Sequence, residues 1–168
     1  MQINTEMQTW KYKGTNFTVE VVRWADASSK LARNILPDEL KDTIPENHWN
    51  VYAIIFQKHP LFDKIINDSL FDYGIDLPLH WGASYHNWNY DSNGAVGYKK
   101  IGSDYQHIHD EKFGNYKTVE EACEILNDAK ELFEYLKNKD ARAEQQGSEC
   151  EQPTTAPCQN ALENGASA

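Results

Sequence analysis

The sequence predicts an α+β domain: a mainly antiparallel sheet with a short helix and a C-terminal amphipathic helix packed on it. Three observations carry this expectation. Thr9–Lys13 and Phe17–Trp24 alternate with period two around Gly14, Asn93-Gly94 separates two further strand-like runs, and Thr118–Leu136 spaces its apolar residues three or four apart. Strands and helices do not alternate as βαβ units, so the sheet should not be parallel.

Taken in order, the first two runs read as a hairpin at the N-terminal edge of the sheet. From Ala25 to His48 the pattern is weak and broken by Pro37 and Pro45, which predicts a loop with at most a short helix near Asp38–Lys41. Trp49–Phe56 is apolar on both parities and rich in aromatic and branched residues, as in a central strand covered on both faces. His59–Ile66 places Pro60 where a first helical turn tolerates it, with apolar residues at 61, 62, 65 and 66, and so predicts a short helix over the sheet. Leu77–Tyr90 and Ala95–Tyr105 should pair across Asn93-Gly94, a strong two-residue hairpin signal. Thr118-Val119-Glu120-Glu121 is a capping box, after which Val119, Ala122, Cys123, Leu126, Ala129, Phe133 and Leu136 form one stripe, predicting a helix from 119 to about 137.

All of the aromatic residues lie at or before Tyr135. Residues 138–168 hold a single leucine, so they should bury too little apolar area to offset their ordering entropy. The expected organisation is one domain over 1–137 and a disordered acidic tail over 138–168. The formal charge of −10 disfavours an electrostatic grip on phosphate backbones or anionic lipid, so no direct nucleic-acid partner is expected. The longest apolar run, Val51–Phe56, is six residues against the ~20 of a membrane span, so no membrane partner is expected either. The N-terminal MQINTEMQ lacks a basic segment followed by an apolar one, and the three cysteines form no CxxC pair. Both point to a reduced, cytoplasmic protein, with Cys123 a small core residue on the helix stripe.

Six histidines, at 48, 59, 80, 86, 107 and 109, fall in one stretch of the chain. If Asn93 and Gly94 are the centre of a two-residue turn, His80 faces His107 and His86 faces Ile101. Directly opposed residues carry Cβ atoms ~4.5–5.5 Å apart, close enough for two imidazoles to share one ion or ligand. Strand parity puts Gly82, Ser84, His86, Trp88 and Tyr90 on the face of His80, a polar and aromatic surface for a ligand, and turns Trp81 and Tyr85 toward the core. Asp104, His107 and Asp110 are three apart, so the chain should leave the sheet near Asp104 and present them from a turn. His80, Asp104 and His107, joined by His59 and Asp110, are then the candidate ligands of a divalent metal, the one cofactor this residue set suggests. His48 and His109 are expected to lie outside the site.

Trp49-x-x-Tyr52 leading into His59-Pro60-Leu61, then Leu79-His80-Trp81-Gly82, then Gly102-Ser103-Asp104 with His107 and Asp110, then a closing amphipathic helix, resembles a family of small, functionally uncharacterised bacteriophage and prophage proteins. Their pattern runs His-Pro-Leu, His-Gly-Gly, and Gly-Phe-Asp followed by His and Asp. The likeness spans roughly 49–137 and departs at Trp81, where the first glycine of the pair is expected, and at Ser103, where phenylalanine is. The resemblance implies a phage-type accessory protein of the infected host cell and adds Gly102 to the ligand-binding set; it implies no reaction. Two functions follow. One is a histidine/aspartate site for a small, nucleotide-like ligand or a divalent metal, which with metal could activate water. The other is an acidic, aromatic-rich inhibitor that binds and blocks a host defence protein through tyrosine and tryptophan anchors.

Overall fold

Alternation of side chains across the pleat, with Trp10 and Tyr12 and then Phe17, Val19 and Val21 at every second position, produces β1 (Glu6–Lys13) and β2 (Phe17–Ala25), paired antiparallel from Glu6↔Ala25 to Lys13↔Thr18. A computed structural model of the chain describes residues 6–25, 27–41, 45–66 and 74–149. Helices α1 (Ala27–Ile35) and α2 (Asp38–Lys41) follow, then β3 (Asn47–Phe56), β4 (Tyr85–Tyr90) and β5 (Val96–Asp104), a 3-10 turn at Phe113–Asn115, and α3 (Cys123–Glu149). The five strands form one antiparallel sheet in the order β1-β2-β3-β5-β4, which makes this an α+β protein. No helix among the described residues is long and apolar enough to cross a membrane.

The core lies between one sheet face and α3. Phe17, Val19 and Val21 of β2, Val51, Ala53 and Ile55 of β3, and Ile101 of β5 pack with Ile125, Ala129, Leu132 and Leu136 of α3, all nearly or fully buried. Glu121 accepts hydrogen bonds from the Lys117 and Thr118 backbone amides while Thr118 Oγ1 accepts from Glu121 N, so the capping box forms as its residues require.

Several expectations are corrected. The loop at 25–48 contains α1, nine residues in which Ala27, Leu31 and Ile35 recur four apart. β3 is central, but only its Trp49, Val51, Ala53 and Ile55 face is fully covered; His48, Tyr52 and Ile54 on the other face are half-buried. His59–Ile66 is a string of turns rather than a helix. It still buries Leu61, Phe62 and Ile65 over the sheet, and Lys99 donates to the Phe62 and Ile65 carbonyls that a continuing helix would have used. The helix stripe runs through Ile125, Ala129, Leu132 and Leu136, leaving Cys123 exposed and Leu126 and Phe133 on its flanks. α3 also continues past 137 to Glu149, where a tail was expected, and Asp140 within this stretch is buried and accepts hydrogen bonds from the Asn16 side chain at 2.9 Å and its backbone amide at 3.3 Å. Residues 150–168 lie outside the described residues.

The β4–β5 connection differs from the expected two-residue turn. Asp91 N donates to Ala95 O, Gly94 adopts φ +80°, and the Asp91 carboxylate accepts from Asn93 N and Ala95 N, so the loop holds Ser92, Asn93 and Gly94. The extra residue shifts Tyr90 opposite Val96; a bulge beside Asn89 shifts the pairing back, and His86↔Ile101 falls where the two-residue turn would have put it. β4 begins only at Tyr85, so 77–84 is not strand.

Candidate functional site

The site is built by two turns beyond the sheet edge and by the side of α3. In the first, Gly82 N donates to Leu79 O at 3.0 Å and Trp81 takes φ +54°; in the second, Asp110 N donates to His107 O at 3.0 Å and His109 takes φ +80°. Each therefore puts a non-glycine residue in the left-handed position that a type II turn reserves for glycine.

These turns bring His80, His107 and Asp110 together, with one ligand atom from each lying within 4.8 Å of the others. Asp110 is the hub. It is buried, and its carboxylate lies 3.0 Å from His80 Nε2 through either oxygen, while Oδ2 accepts from the His107 backbone amide at 3.0 Å and lies 3.3 Å from His107 Nδ1. The backbone contact closes the turn, so the same carboxylate is pinned by the fold and offered to the imidazoles. His80 is set by stacking: its ring lies 4.4 Å from Tyr105 at an interplanar angle of 14° and meets Phe113 edge-on. Behind it, Asp128 Oδ2 stands 4.0 Å from His80 Nδ1 and accepts the Tyr105 hydroxyl at 2.7 Å. Burial, then the hydrogen bond and charge of Asp128, push the Tyr105 phenol far above its ordinary value, so it remains a donor to that carboxylate.

His80 and His107 thus meet, with ring centroids 5.9 Å apart, but not as opposed residues of a ladder, since neither lies in a strand. Their meeting depends on the two turns and on Asp110. Asp104 is displaced from the centre: Ser84 Oγ donates to it at 2.6 Å, and its nearest approach to His107 Nδ1 is 3.9 Å. His59 is elsewhere, buried under α3, with Nδ1 accepting from Leu61 N and Nε2 3.2 Å from Leu136 O. Burial lowers its affinity for a proton, in keeping with a neutral structural histidine.

Of the expected ligand surface, Gly82 sits in the first turn, whereas His86 and Trp88 pair with Ile101 and Lys99 inside the sheet and Trp88 packs over the Lys99 ammonium. Gly102 serves packing: a Cβ there would stand 2.2 Å from the Tyr52 ring, which lies across the glycine toward Tyr85. Trp81, expected in the core, is 72% exposed because 77–84 leaves the sheet and strand parity does not apply there; Tyr85, also expected in the core, opens β4 opposite Gly102 and so lies on the Tyr52 face, away from α3, 39% exposed. Trp81 instead lies beside the triad, its ring centroid 6.2 Å from His80 and 6.3 Å from His107. Sequence reasoning missed Tyr105 and Asp128. The first was within reach, since Ile101, Ser103 and Tyr105 share a parity and all three are buried.

No family model, curated protein or solved structure matches this chain.

Proposed function

We propose that the protein binds a divalent transition metal through His80, His107 and Asp110 and uses the remaining open positions for water or a small ligand. One observation carries the reading: two imidazoles and a buried carboxylate converge, held by backbone and stacking contacts. Two nitrogens and one oxygen suit zinc, iron or manganese, and three protein ligands leave room for a fourth. Asp110 is anchored through Oδ2 by the His107 amide and holds Oδ1 3.0 Å from His80 Nε2, while the Asp128 carboxylate lies 4.0 Å from His80 Nδ1. A bound ion would polarise a water in its open position. Because imidazoles ligate only when unprotonated, affinity falls on acidification.

The likeness to phage proteins supports placing this activity in the cytoplasm of an infected cell. A second reading, an inhibitor that docks on a host defence protein, is supported by the exposed Trp81, Tyr85 and Tyr90 on a chain of charge −10. Calorimetric titration of zinc and manganese into the full chain decides between them. The metal reading expects one ion per chain, at least tenfold weaker binding in His80→Ala, His107→Ala and Asp110→Asn, and no change in His86→Gln. A wild-type chain that takes up no ion refutes it.

A further inference from the structure

Among the described residues, Trp81 and His109 are the non-glycine residues with positive φ, at 54° and 80°, and both line one groove together with His80, Asp110, Lys112 and Asp128. A bulky residue in the left-handed region is strained, and strain of this kind gathers at functional sites. Core packing does not demand it here, because Trp81 is 72% exposed and a glycine would take the same turn freely. What a glycine could not supply is the indole, projecting beside the two imidazoles.

We infer that Trp81 is a stacking platform for a planar heteroaromatic ring, and that the groove takes an uncharged nucleoside or free base next to the triad. The inference rests on the metal reading above for what the triad does, though not for the stacking itself. The charges of the groove choose the ligand class. Asp110, Glu124 and Asp128 face a single ammonium, Lys112, which is already paired with Glu124. Even a divalent ion together with Lys112 would only balance these carboxylates, leaving no positive charge for a phosphate. His109 adds an exposed imidazole to the same groove, able to donate to or accept from the edge of a base.

The test is calorimetric titration of adenosine, cytidine and ATP into the full chain, with and without zinc, for wild type and Trp81→Gly. Wild type should bind a nucleoside, and ATP no more tightly. Trp81→Gly should weaken nucleoside binding roughly tenfold or more, the loss expected when a base loses its aromatic partner. Its zinc affinity should be unchanged and its Tm no lower than wild type. The inference is overturned if wild type binds neither nucleoside, if ATP binds tenfold more tightly, if Trp81→Gly binds as wild type does, or if its Tm falls. Zinc uptake without nucleoside binding defeats this inference alone; nucleoside binding without zinc uptake defeats the metal reading alone.

Discussion

Replacing Asp110 by asparagine removes one charge and leaves the shape. In the wild type the carboxylate meets His80 Nε2 at 3.0 Å through both oxygens, the His107 amide at 3.0 Å and His107 Nδ1 at 3.3 Å, with the residue only 5% exposed. The amide keeps one acceptor for the His107 backbone amide and sets a neutral NH2 group where the other carboxylate oxygen met the imidazole nitrogens. A hydrogen bond to a charged group contributes ~1.5–3 kcal/mol, and exchange for a neutral amide weakens several of them at once, so the metal-free variant should lose about 3 kcal/mol. At ~2–4 °C per kcal/mol for a chain of this size, Tm should fall by roughly 6–12 °C. Zinc at about one hundred times the wild-type Kd should stabilise the wild type by ~2.7 kcal/mol through mass action and a variant that binds tenfold or more weakly by at most ~1.4 kcal/mol. Calorimetric melting in chelator and then in zinc measures both. An Asp110→Asn chain that melts within a degree of wild type and keeps the zinc shift would refute the reasoning.

Along α3, Leu132→Ala and Leu136→Ala should each cost ~2–5 kcal/mol in denaturant unfolding, while Cys123→Ser stays within ~0.5 kcal/mol; equal effects would mean that the buried stripe is wrongly placed. Asp140→Ala should cost ~1–3 kcal/mol by breaking the tie to Asn16, and a neutral result would return residues beyond 137 to the status of a tail. Burial lowers the His59 pKa against the weaker opposing effects of the Leu136 carbonyl and Asp140. The unfolded chain then takes up this proton more readily than the folded one, so the contribution is intact above the unfolded value of ~6.5 and is lost as pH falls below it toward the folded value. His59→Gln should flatten the fall in Tm between pH 7 and 5, and parallel curves for the two proteins would dismiss the assignment.

What was legible in the sequence followed from periodicity. The N-terminal hairpin, β3, the capping box and the closing helix each repeat their signal over several residues, and α2 falls on Asp38–Lys41 as expected. The His86↔Ile101 pairing was legible for a subtler reason: a longer turn and a bulge cancel, so counting from Asn93-Gly94 reaches the right partner through the wrong turn. Where the chain leaves the sheet, parity loses its meaning. It turned Trp81 inward and placed His80 opposite His107, whereas two turns with positive φ expose the first and join the histidines through Asp110. Asp104 and Asp110 look alike in sequence, and only the turn that puts the His107 amide on Asp110 separates them. Contacts such as Asp128 behind His80 come from an element more than forty residues away and leave no local trace.

His80, His107 and Asp110 are proposed to ligate one ion. X-ray absorption at the zinc edge of the full chain, loaded with one equivalent and dialysed, tests it most directly. Retention of one zinc per chain is expected, with two imidazole nitrogens and carboxylate or water oxygens at ~2.0–2.2 Å. One imidazole contribution should be lost in His80→Ala and again in His107→Ala. A spectrum of oxygen ligands alone, or one unchanged by either substitution, would contradict it.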